Sequence, residues 1–186
     1  MAAGPDKMIF LSHTGKNPAE KDAIRALHNK LHTCIGCDTF FDEHSESLPP
    51  GEPFDDRIND ALKSCRLGVV QISRTYMQHP WPMKELVALI RRSDGDPSFR
   101  IVPLFYDIRP DELRDLVKDR SLHDRWRRFH LDVDECINSI KKLRKFVGVV
   151  RNGREQNEYV KECKEAIVNK NNGVAPDWLE KMQNHS

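Results

Sequence analysis

The stretch HPWPMKEL, residues 79–86, sets a carboxylate, Glu85, four positions after an indole, Trp81, where two prolines mark a helix start. Residues four apart on a helix share a side, so this ring and this charge together suit a planar, positively charged group. At roughly 100° per residue, Met83, Leu86, Val87 and Ile90 form the core stripe, and Glu85 points nearly opposite, an exposed acid outside the core. A plainer reading is available: an acid in the first turns of a helix simply complements its dipole. On residue types alone the plainer reading outweighs the chemical one.

Other chemistries find thinner support. SHTGKN, 12–17, has one glycine, and Gly15-Lys16 is followed by Asn17 rather than Ser or Thr, so a P-loop fails. The chain contains no GxGxxG, and Ser12-His13-Thr14 supplies no acidic cluster to hold magnesium, so these residues alone read as a turn. DEHSESLPPGEPFDDRI is long for a connection, hence either functional or a flexible link. CIGC, 34–37, lacks a second ligand pair at the spacing of a zinc site, and it precedes a strand-like run where a thioredoxin motif opens a helix. The five cysteines, Cys34, Cys37, Cys65, Cys136 and Cys163, read as free thiols of a reducing compartment. Among eight histidines His28 and His32 stand at HxxxH spacing, but no acid follows the first as in HExxH, and no metal site is expected.

The elements that must hold these residues alternate. Apolar runs at 8–12, 37–42, 67–73, 100–106 and 145–150 read as strands. Between the first two, Ala23, Ala26, Leu27, Lys30 and Leu31 keep helical spacing, with Ile24 widening the stripe. Further helices are expected over 54–65, 81–92, 110–118, 134–144 and 155–170; Pro110 followed by Asp111 and Glu112 marks the start of one of them. Nearly continuous apolar strands alternating with helices imply a parallel sheet covered on both faces. The fold class is α/β, a flavodoxin-like doubly wound sheet of five strands with helices on both faces. Ligands bind such sheets at the carboxyl ends of the strands, which directs attention to 12–17, to the long loop and to the helix of Glu85.

A chain of 186 residues is about one domain long, with residues 8–170 as the domain and 1–7 and 171–186 as tails. No apolar run approaches a membrane span and the start lacks a signal peptide, so the default address is cytoplasmic, with the nucleus also open to it, and no membrane partner is expected. Thirty basic against twenty-nine acidic residues give no bulk drive toward nucleic acid. The basic runs 125–130 and 141–145 read first as solvated helix faces and only secondarily as a nucleic-acid patch.

Four stretches in register resemble the Toll/interleukin-1 receptor (TIR) domain, specifically its plant type. MIFLSHTG is similar to DVFLSFRG; FFDEHSESLPPGEPF resembles the second strand and its loop, with Leu48 and Gly51 at the LxxG positions. ALKSCRLGVVQISRTYMQHPWPMKEL resembles AIxxSxxxIVVFSxNYxxSxWCLxEL, and RIVPLFYDIRPDELR resembles VIPIFYxVxPxxVR. Thr14 stands where the family's first loop usually has Arg, Pro82 replaces a Cys, and Lys84 replaces a common acid.

The resemblance implies cleavage of the nicotinamide N-glycosidic bond of NAD+ to nicotinamide plus ADP-ribose or a cyclic ADP-ribose isomer, as an immune or cell-death signal. It implies Glu85 as the catalytic residue and Trp81 as its neighbouring ring. It further implies substrate contacts from Ser12, His13, Thr14, Gly15 and Lys16 and from Pro49 and Gly51 of the long loop. NAD+ would be the substrate, with no cofactor and no metal, and self-association through TIR–TIR contacts would complete the site. The length suggests either a TIR-only protein or an excised domain. The alternative is a non-catalytic adaptor of the same fold, suggested by the missing first-loop Arg.

Overall fold

The computed structural model describes residues 9–35, 39–40 and 54–168. Along the chain the elements are β1 Ile9–Ser12, α1 Pro18–Ile35, β2 Thr39–Phe40, α2 Phe54–Ser64, β3 Leu67–Ile72, α3 Arg74–Met77 and α4 Pro80–Gly95. They continue with β4 Arg100–Phe105, α5 Pro110–Leu116, α6 Arg120–Arg128, α7 Val133–Leu143, β5 Val149–Val150 and α8 Gln156–Val168. Among the described residues every pairing is parallel and the strand order is β2-β1-β3-β4-β5, which is that of the flavodoxin-like class read from the sequence.

All six side-chain positions of β3 are buried, as a strand covered on both faces requires. Alternate residues feed two cores. Phe10, Val70, Ile72, Ile101 and Phe105 pack against Met83, Leu86, Leu89, Ile90 and Trp126 on one face. Ile9, Leu11, Val69, Val102 and Leu104 pack against Ile24, Leu27, Leu31, Val160 and Ile167 of α1 and α8 on the other. The chain leaves β1 toward the second face and leaves β3 toward the first, so the carboxyl ends of these adjacent strands diverge and open the crevice where such sheets bind ligands. β5 reaches β4 closely because residue 148 is glycine: a Cβ there would lie 2.0 Å from the Pro103 carbonyl oxygen.

Several expectations shift. Of the run 37–42 only Thr39–Phe40 lies among the described residues, where it pairs with β1, and the strand expected over 145–150 is confined to Val149–Val150. The helix expected from Trp81 begins at Pro80. Its buried face is Pro82, Met83, Glu85, Leu86, Leu89 and Ile90; Val87 is only half-buried. The short helix α3 is not among the expected elements and α6 has no expected bounds, though α6 carries most of the first basic run as the solvated helix face read for it, with Leu122 and Trp126 inward and Arg125, Arg127 and Arg128 exposed. Among the described residues no helix is long and apolar enough to cross a membrane.

Candidate active site

Two prolines start α4 because the first turn needs no backbone donors there, and their fixed φ suits helix entry. His79 occupies the N-cap in extended conformation without a side-chain cap; its Nδ1 instead lies 2.8 Å from the Thr75 carbonyl oxygen, tying α3 to α4. From this start Trp81 falls in the first turn and Glu85 one turn later, where Ser12 at the end of β1 reaches its carboxylate. Dipole complementation, which fades beyond the first turn, therefore does little for Glu85.

Glu85 is 4% exposed, so the exposed carboxylate expected from the wheel is a buried one. The reason is the rotated stripe: Leu89, not Val87, belongs to the buried face, and this turns the inward side of α4 toward Glu85. Ser12, the last residue of β1, donates its hydroxyl to Glu85 Oε1 at 3.3 Å. Tyr76 of α3 brings its Oη to 2.8 Å from the same Ser12 Oγ. Ser12 and Tyr76 are fully buried. Burial, then the Glu85 charge, push the Tyr76 phenol well above its ordinary value, opposed by the Ser12 bond, so the phenol keeps its proton. Trp81 is half-buried and packs on the core beneath α4.

The first loop is largely inward. His13 and Thr14 are buried, Gly15 is half-buried and Lys16 is exposed. Thr14 Oγ1 accepts the Lys16 amide at 3.2 Å, and Asn17 Oδ1 caps α1 by accepting the Ala19 amide at 3.0 Å. Of the five first-loop residues named from the sequence, Gly15 and Lys16 thus offer surface, while Ser12 is committed to Glu85. Pro49 and Gly51, with Leu48, lie outside the described residues.

Among the described residues, the buried polar groups that the sequence does not single out include Tyr76 and Glu20. Tyr76 stands nine residues before Glu85, a separation no helical period connects. Glu20, on the opposite face of the sheet, is fully buried, and the Ser73 and Asn17 side chains that face its carboxylate make no well-formed hydrogen bond to either oxygen. Burial lifts its carboxyl to about 7, with Asp107 adding to the rise and Ser73, Asn17 and Arg151 opposing it. Glu20 stands three, four and seven residues before Ala23, Ile24 and Leu27, on the apolar stripe itself, and that position was the available signal.

A recess of about 1080 Å³ between α2, α4 and α7 is lined by Lys84 and Ala88 but not by Glu85, Trp81 or the first loop. Its mixed charges, Lys63, Lys84 and Arg91 with Asp56, Asp60 and Glu135, converge on no single chemistry. Among the described residues no three His, Cys, Asp or Glu side chains are grouped to hold a metal ion.

The fold is that of the TIR domains of the activated Roq1 resistosome that recognises the pathogen effector XopQ. The match has a TM-score of 0.69 at 21% identity and covers 87% of this chain and 99% of that one. The NAD(+) hydrolase PdTIR of Paracoccus denitrificans is 31% identical over 113 residues, 61% of this chain and 36% of that protein. A Brachypodium distachyon protein named probable 2′ cyclic ADP-D-ribose synthase BdTIR is 29% identical over 105 residues, 56% of this chain and 43% of that one. The alignments thus span about two fifths of these curated relatives. The family model described as TIR domain matches residues 9–142, nearly all of the sheet and both helices that frame Glu85, and the chain belongs to the TIR domain family.

Proposed function

We propose that this chain cleaves the nicotinamide N-glycosidic bond of NAD+ with Glu85 as the catalytic carboxylate, releasing nicotinamide and ADP-ribose or a cyclic ADP-ribose isomer. The observation that carries the reading is a carboxylate, 4% exposed and bonded by Ser12, at the crevice between the carboxyl ends of β1 and β3. A buried charge is expensive to hold and is rarely retained without a role. Relatives named NAD(+) hydrolase and 2′ cyclic ADP-D-ribose synthase support the substrate.

One carboxylate suffices for this bond. An ordinary glycosidase protonates its leaving oxygen with a second acid, whereas nicotinamide departs as a neutral base from a cationic ring. The C1′–N bond breaks with its electron pair going to nicotinamide, and positive charge develops on the ribose. A fixed carboxylate stabilises that charge. Water then adds at C1′ and loses a proton to give ADP-ribose, or a hydroxyl of the same molecule adds to give the cyclic product. Trp81, one turn before Glu85, supplies an aromatic wall for the cationic ring. Gly15 and Lys16 are the first-loop residues with surface to offer. In a single chain Glu85 is nearly closed off, so neighbouring segments must move to admit NAD+, a movement that TIR–TIR contacts between copies would drive. The product would serve as an intracellular immune or cell-death signal.

The test is incubation of purified protein with NAD+, with nicotinamide and ADP-ribose species followed by chromatography and mass detection. Turnover is expected for the wild type and none for Glu85→Ala, with specific activity rising steeply with protein concentration. Equal turnover by both proteins would move the chemistry away from Glu85. Absence of turnover even at high concentration would favour an adaptor acting through TIR–TIR assembly alone.

A further inference from the structure

We infer that Tyr76 is a positioning residue for Glu85, acting through the Ser12 hydroxyl to fix the carboxylate that meets NAD+; the inference rests on the NAD+-cleaving reading. The direction of the chain of bonds follows from proton counting. An ionised carboxylate only accepts, and a serine hydroxyl has one proton to give. Ser12 spends that proton on Glu85 Oε1, so the 2.8 Å contact to Tyr76 must have the phenol as donor. The order is Tyr76 O–H to Ser12 O–H to Glu85, and each bond polarises the next.

The phenol is a fixed donor because α3 is held at three points. Ser73 Oγ accepts the Tyr76 amide at 2.9 Å, the Met77 carbonyl accepts Trp126 Nε1 at 2.7 Å, and Thr75 O meets the His79 ring. Tyr76 is fully buried, and a phenylalanine would fill the same space. The added hydroxyl is unfavourable to bury unless bonded, and the bond it makes leads to Glu85. A glutamate left to its own rotamers would sample geometries away from the reacting carbon, where displacements near 1 Å are enough to slow a reaction about a hundredfold. Ser12 is accordingly a link between Tyr76 and Glu85 rather than a group presented to solvent.

The experiment compares steady-state NAD+ cleavage by the full chain, wild type and carrying Tyr76→Phe, Ser12→Ala, both together, or Glu85→Ala. Folding of each variant is checked by near-ultraviolet circular dichroism. Tyr76→Phe should lower kcat about tenfold with KM within about twofold, because positioning acts in the transition state. Ser12→Ala should lower kcat at least as much, and the double variant should be no slower than Ser12→Ala alone, because Tyr76 acts only through Ser12. An unchanged kcat in Tyr76→Phe, a loss confined to KM, or a double variant as slow as the product of the two single effects would each overturn the inference. Should Tyr76→Phe not fold, 3,5-difluorotyrosine placed at position 76 keeps the ring and strengthens the donor. A change of about twofold or more in kcat at constant KM is then expected, and none would be fatal. Turnover by wild type but not Glu85→Ala, with kcat intact in Tyr76→Phe, removes this inference and leaves the proposed function standing. No turnover by the wild type removes both.

Discussion

Replacing Glu20 by Gln should abolish a fall in stability that the wild type shows between about pH 4.5 and 7. Glu20 is fully buried in the first turn of α1, and although the Ser73 and Asn17 side chains face its carboxylate, neither makes a well-formed hydrogen bond to its oxygens. The groups that face it are Ser73 at the end of β3, Asp107 after β4, Arg151 after β5 and Asn17 at the head of its own helix. Arg151 offers only distant compensation, since its guanidinium stacks on the Tyr106 ring at 4.3 Å and its Nε donates to the Arg154 carbonyl. Burial therefore dominates, and the carboxyl moves from 4.5 to about 7. The folded state holds its proton more tightly than the unfolded chain, so stability is fully present below pH 4.5, declines as pH rises, and levels off above about 7. The difference amounts to about 3 kcal/mol, or about 6–12 °C in melting temperature for a chain of this size. Gln keeps the shape and never charges. Urea melts of both proteins from pH 4 to 9 should show similar stabilities at pH 4 and a variant more stable by up to about 3 kcal/mol at pH 8. Parallel profiles would mean that Glu20 finds a compensating partner on ionising, and a wild type that gains on the variant as pH rises would reverse the sign of the argument.

Two further outcomes follow from the packing. Gly148→Ala places its Cβ 2.0 Å from the Pro103 oxygen and 2.6 Å from Pro103 Cγ, a collision with backbone that should cost at least about 2 kcal/mol in thermal melts. Gly95→Ala, with nothing within 4 Å of the added carbon at the end of α4, should instead gain up to about 1 kcal/mol. The thiols of Cys136 and Cys163 are buried and pushed up to about 12. Iodoacetamide at pH 8 should accordingly leave both unmodified in the native protein and alkylate them after urea unfolding, as read by mass spectrometry.

What could be read from the sequence divides along the range of the contacts involved. Runs such as LGVVQI announce doubly covered strands because the burial of each residue follows from its own apolar character, and the five-stranded parallel sheet followed from that alone. The helices with long apolar periods emerged for the same reason. Helix α3 has four residues, too few for any period, and α6 shows only Leu122 and Trp126 inward among charges. Both missing elements bear on the site: α3 carries Tyr76, and α6 carries the tryptophan that holds α3 through the Met77 carbonyl. The two buried acids fared differently. Glu20 keeps register with Ala23, Ile24 and Leu27, so a charge standing on an apolar stripe was visible in principle. Glu85 lies at the edge of its stripe, and choosing Val87 over Leu89 was enough to turn it outward. Its hydroxyl partner Ser12, and the Tyr76 phenol that bonds Ser12, come from positions 73 and 9 residues away, on a strand end and a four-residue helix. Periodicity along one helix marks where an acid is buried, but the groups that make its charge tolerable and aim it are set by how separate elements meet. For Glu85, that meeting lies at the divergence of β1 and β3, the same feature of the sheet that opens the crevice for a ligand.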